Sequence, residues 1–145
     1  MKQLILIFSV ILLSTSAFAG NGHAKFKLMF ADETGINALE NAHVTVYEDG
    51  IKVLDQTFKG HHAKFKVKAN HRYIIIVKKD GFEEYACCYD LTNATEKDRF
   101  SFDSIVRFTT NNDCAPQAYY NPSKGFHFDY TLTDVPTLKS EIKGS

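Results

Sequence analysis

The sequence predicts an all-β domain, an antiparallel β-sandwich of about seven to eight strands. Three observations point there. Apolar and polar residues alternate with period two along most of the chain, as in Lys25-Phe26-Lys27-Leu28 and Lys64-Phe65-Lys66-Val67. Turn dipeptides, Asp49-Gly50 and Asp80-Gly81 among them, punctuate that alternation. No stretch carries a convincing helical period. The aromatic content agrees, with 12 Phe, 7 Tyr and no Trp, because aromatic side chains suit a pleated, half-buried surface.

Residues 1–19 stand apart. Met1-Lys2 is a short basic start, Leu4 to Leu13 is apolar except for Ser9, and Ala17-Phe18-Ala19 places small residues at −3 and −1. That is the signal-peptidase pattern. The apolar stretch runs about ten residues, whereas a membrane-spanning helix needs about twenty. Residues 1–19 are therefore expected to be a signal peptide. Residues 20–136 form the sandwich domain, and 137–145 a mobile tail with little to bury. Export places the chain in the periplasm or outside the cell, with no stable membrane insertion after cleavage.

The strands follow in order. Phe26, Leu28 and Phe30 face one way on the first, with Lys25, Lys27 and Met29 opposite. Val44 and Val46 mark a second, which turns at Asp49-Gly50 because both residues tolerate positive φ. Ile51, Val53 and Leu54 start the return strand to Phe58, and Lys59-Gly60-His61-His62 turns again. Phe65 and Val67 carry the next strand. After Asn70-His71 comes Tyr73-Ile74-Ile75-Ile76-Val77, a continuous run expected to be central and buried on both faces. Asp80-Gly81 leads into Glu83–Leu91. Phe100, Phe102, Ile105, Val106 and Phe108 shift phase near Ser104, which suggests a bulge. Residues 111–124 are polar, contain Pro116 and Pro122, and read as a long loop. Phe126, Phe128 and Tyr130 close the domain.

The charge is balanced, with 17 basic and 17 acidic residues, which argues against a nucleic-acid partner. The lysines mostly alternate with apolar residues, as the solvated side of strands would. Three cysteines follow the signal segment: Cys87, Cys88 and Cys114. In an oxidising compartment pairing is expected. Cys87 and Cys88 point to opposite faces, Cys87 into the core and Cys88 outward. Cys88 is then expected to bond Cys114, with the 111–124 loop crossing the outer face. Such a closure stabilises by about 3 kcal/mol in the chain-entropy model. A Cys87–Cys114 bond or a link between two chains are the alternatives.

His61 and His62 are weak metal candidates, because neighbours in an extended segment rarely share an ion and no closed ligand spacing accompanies them. Exposed turn histidines are the simpler reading, and no cofactor is expected. Serines lack a G-x-S-x-G setting, and an exported thiol is poorly placed for nucleophilic chemistry. Asn93-Ala94-Thr95 is a glycosylation sequon, meaningful in a eukaryotic secretory route alone.

The stretch from Phe26 to Leu132 resembles the carboxypeptidase-regulatory-like, or transthyretin-like, β-sandwich domains of exported bacterial proteins. Thr34-Gly35 with Leu39–Tyr47 is similar to the family's opening. Arg72–Phe82 is similar to its Tyr-x-Ile-x-Val-x-Lys-x-Gly-Tyr, and Phe126–Leu132 to its closing strand. Gly60–Phe65 departs from the family's Asp-Gly-x-Phe turn. The resemblance implies a transthyretin-like, immunoglobulin-like fold and a non-enzymatic role. Transthyretin-like hydrolases of 5-hydroxyisourate share the opening and end in Tyr-Arg-Gly-Ser. Here the end is Ile142-Lys143-Gly144-Ser145, with His127 upstream. Tyr and Arg are replaced, Asp129 stands at the second His position, and the turn arginine has no match. No hydrolase is expected. The expected role is an interaction or structural module whose partner is an envelope or extracellular protein or glycan. Tyr119 and Tyr120 are the preferred contact residues; the alternative is that both cover the sheet.

Overall fold

The structure is a computed structural model describing residues 22–109 and 114–143, with backbone only at 114–116 and 128–134. The expected signal peptide lies outside the described residues. Nine strands are described: β1 (His23–Ala31), β2 (Ala42–Glu48), β3 (Ile51–Phe58), β4 (His62–Lys68), β5 (Arg72–Lys78), β6 (Tyr85–Asp90), β7 (Arg99–Arg107), β8 (Cys114–Asn121) and β9 (Gly125–Asp134). One helix, α1 (Val135–Ser140), follows. Among them no helix is long and apolar enough to cross a membrane.

The strands form two sheets, β4-β1-β7 and β3-β2-β5-β6-β8-β9. Phe26, Leu28 and Phe30 of β1, with Phe102 and Val106 of β7, face Val44, Val46, Tyr73, Ile75 and Cys87 of the larger sheet in one core. The expectation of an all-β sandwich holds; the expectation of purely antiparallel pairing does not. β1 runs parallel to β7, and β6 parallel to β8. Parallel neighbours need a long connection. Between β6 and β8 that connection is β7 itself, which crosses to the other sheet.

At the β2–β3 turn Asp49 and Gly50 both take positive φ, 49° and 86°. Gly50 is required twice over, since a Cβ there would lie 2.6 Å from the Glu141 carbonyl. On β5, Tyr73, Ile75 and Val77 enter the core while Ile74 and Ile76 lie under α1. The unbroken apolar run thus has a partner on each side.

Three local expectations are corrected. First, no bulge interrupts β7 against β1: the register runs unshifted from His23↔Arg99 to Ala31↔Arg107. Ser104 points inward, 2.9 Å from the Tyr89 hydroxyl, while Ile105 points out. An inward-facing, half-buried polar residue and an exposed apolar one together mimic a phase change. Second, the described part of the 111–124 loop is largely strand. Residues 114–121 form β8, hairpinned to β9 through Pro122–Lys124. Pro116 falls at a register shift between Ala115 and Gln117, a place where a missing N–H removes no ladder bond. Third, the segment expected as a tail from 137 is held down as far as it is described. Leu138 is 1% exposed and packs with Ile74, Ile76, Ala86 and Cys88. Lys139 pairs with Glu84 at 2.8 Å, Arg72 with Glu141 at 3.2 Å, and the Lys143 N–H donates to the Gly50 carbonyl.

Candidate functional site

Alternation gives the β4-β1-β7 sheet one apolar and one outward face, and register decides what the outward face becomes. Lys25 of β1 stands between Lys66 of β4 and Ser101 of β7. Lys27 stands between Lys64 and Asp103. His23 lies between Lys68 and Arg99, and Met29 between His62 and Ile105. Arg107 ends the β7 side beside Ala31. The lysine stems and the strands beneath them frame a shallow groove of about 420 Å³.

Two pairs of like charges, Lys25↔Lys66 and Lys27↔Lys64, are therefore direct cross-strand neighbours. Cβ atoms in such pairs are about 5 Å apart, and like charges there destabilise the sheet. Among the described residues none of Lys25, Lys27, Lys64, Lys66 and Lys68 forms an ion pair. Within the same outward plane Met29 and Ile105 sit side by side, 46% and 49% exposed. The protein is neutral as a whole, so this is segregated charge. The two lysine-alternating segments share a phase in the sequence. That they lie side by side depends on the β1–β4 register, which no composition or period reveals.

Other polar clusters sit on the larger sheet. The His43 ring bonds Thr57 through Nδ1 at 2.8 Å and Asp55 through Nε2. Lys52 reaches Asp55 at 3.0 Å. The bonds from His43 and then Lys52 hold the Asp55 carboxyl down at about 2. The order hydroxyl, imidazole, carboxylate invites comparison with a hydrolytic triad. Here it follows from the pairings His43↔Thr57 and Thr45↔Asp55 between β2 and the exposed edge strand β3, and it staples β3 to β2.

At the end of the sandwich His71 Nδ1 lies 2.6 Å from Asp49, and Nε2 3.9 Å from Glu48. These three could hold a divalent cation. Each carboxylate already has structural work. Asp49 accepts the Arg72 N–H at 3.1 Å, and Glu48 accepts the Tyr73 hydroxyl at 3.2 Å. Burial pulls the Asp49 carboxyl up, but the bonds from His71 and the Arg72 N–H outweigh it and hold it below its ordinary value.

The sequence candidates disperse. His61 lies 3.4 Å from Glu40, and His62 beside Met29 on the basic face; neither joins the cation-competent cluster. Cys87 enters the core, as expected. Cys88 points the other way but is buried beneath α1 instead of exposed. Both are free thiols. Burial pushes Cys88 up to about 12 and Cys87 further. β6–β8 register sets Cys88 beside Gln117. The side chain of Cys114 lies outside the described ones, and its expected pairing with Cys88 or Cys87 with it.

Tyr119 and Tyr120 belong to a strand rather than a loop. The Tyr120 ring packs 5.0 Å from Phe100 and 5.2 Å from Phe126. Tyr119 is half-buried and its hydroxyl donates to Gln117. His127 is exposed on β9 opposite Tyr119. No protein-family model matches the chain, and no curated protein matches it.

Proposed function

We propose that this chain is an exported, non-catalytic β-sandwich module that binds an anionic partner through the outward face of β4-β1-β7. The observation that carries the reading is the two directly opposed lysine pairs, Lys25↔Lys66 and Lys27↔Lys64, which form no ion pair and have Asp103 beside Lys27 as their one acidic neighbour on these strands. Guarding the β4 edge gives that strand a reason to carry lysines, but not to set them opposite Lys25 and Lys27, where they weaken the sheet. A partner bearing phosphate or carboxylate groups turns that repulsion into attraction. Function in such a domain belongs to its surface and not to its fold. The signal-like residues 1–19 support export to the periplasm or the exterior. The Arg72–Phe82 and Phe126–Leu132 motifs support kinship with transthyretin-like and carboxypeptidase-regulatory-like domains.

The test uses the purified chain and heparin as a soluble polyanion. Retention on a heparin column should fall steeply with salt, because binding releases condensed counterions. Lys64→Gln with Lys66→Gln should elute at clearly lower salt than the wild type. Unchanged elution of a folded variant would refute the assignment of this face.

A further inference from the structure

We infer that the anionic partner is a lipid bilayer surface, against which the β4-β1-β7 face lies flat. This rests on the reading of that face as anion-binding and goes further by naming what is bound. Lysines alone would suit any polyanion. The apolar pair in their midst does not. Met29 and Ile105 are register partners, about half exposed, and point outward with the lysines. The Lys64–Lys27–Asp103 row lies on one side of them and Arg107 on the other. A soluble polysaccharide or polyphosphate offers cations their counterions but leaves these two side chains in water. A bilayer surface takes both kinds of group. Ammonium groups reach phosphates while their methylene stems lie against the interface, and Met29 and Ile105 enter the apolar boundary beneath.

Shape and charge agree. Three strands spaced about 4.8 Å apart make a broad face with one shallow groove rather than a channel. With the whole protein neutral, attraction depends on orientation, so the basic face turns toward the anionic leaflet. On β4, β1 and β7 Asp103 is the one acidic residue, beside Lys27, against five lysines and two arginines; Glu48 and Asp55 lie on strands of the larger sheet, and Glu141 just after α1. Binding of this kind is adsorption, with no segment crossing the bilayer. Each lysine near an anionic surface contributes about 1 kcal/mol, or roughly fivefold in partition.

The test is vesicle co-sedimentation of the purified chain, with heparin binding measured in parallel. Vesicles of phosphatidylcholine alone should leave the protein in solution. Vesicles with added phosphatidylglycerol should carry it down, and salt should release it. Met29→Ser with Ile105→Ser should weaken partition onto the anionic vesicles roughly tenfold while heparin binding stays unchanged. Circular dichroism confirms that the variant is folded; both positions are exposed. If the wild type binds heparin but neither vesicle, the lipid assignment is overturned and anion binding stands. Vesicle binding that ignores the Met29 and Ile105 substitutions also overturns it. Binding to neither heparin nor vesicles overturns both readings.

Discussion

Substituting Lys64 and Lys66 by glutamine should make the protein more stable and less able to bind anions. The two substitutions relieve both opposed pairs, because Lys66 faces Lys25 and Lys64 faces Lys27. Ammonium groups about 7 Å apart in water repel by roughly 0.6 kcal/mol before screening. At about 0.01 M salt the Debye length is near 30 Å, so most of that survives and the two pairs together cost about 1 kcal/mol. At about 0.15 M, with a Debye length near 8 Å, the sum falls to about 0.5 kcal/mol. For a domain of this size, about 1 kcal/mol moves Tm by roughly 4 °C. Calorimetric melts at both salt concentrations measure it. The variant should melt roughly 4 °C above the wild type at low salt and about 2 °C above it at physiological salt. Its heparin affinity should fall in the same samples. A variant that melts lower than the wild type at low salt would refute the repulsion. A variant that gains stability yet binds as before would refute the site.

Four further outcomes follow from the remaining geometry. Cys87 and Cys88, both buried, should resist alkylation in the native protein; fast labelling of either before denaturation would contradict that burial. Leu138→Ala should destabilise by about 2 kcal/mol, the low end for a buried leucine because α1 is short, and should speed labelling of Cys88 but not of Cys87. Asp55 titrates at about 2, below its ordinary 3.8. Its bonds to His43 and Lys52 therefore contribute stability above the unfolded value, and that contribution fades as pH falls from about 4 to 2. Asp55→Asn should be less stable than the wild type at pH 6 in denaturant melts, with the gap closing by pH 2. Tyr120→Ala should cost about 2 kcal/mol through lost packing on Phe100 and Phe126, and leave heparin retention unchanged once the fold is intact.

The parts of the fold legible in the sequence were those written by neighbours. Alternation in Lys25–Phe30 and in Lys64–Val67 assigned the inward residues correctly, and Asp49-Gly50 marked its turn. The Tyr73–Val77 run read as central, although the cover over Ile74 and Ile76 proved to be a helix. What stayed hidden depends on distant residues. Nothing near β1 announces that β7 will lie parallel beside it. Six residues of α1 are too few to show a period, and its single deep contact, Leu138, is one buried leucine in a short segment. Pro116 disguised β8 because a proline in a strand is acceptable where the ladder already shifts. The basic face was half legible: the lysines were correctly placed on the solvent side, and their crowding onto one sheet required the register.

The place of β1 between β4 and β7 also sets the order in which this protein can be completed. Its antiparallel partner is finished at Lys68, but its parallel partner begins only at Arg99. A chain emerging from its N-terminus must carry β1 through that interval with one long hydrogen-bonding edge unclaimed. Contacts across such sequence distances close slowly, and open edges recruit other strands. Truncations ending before Arg99 should therefore aggregate rather than settle into a smaller domain.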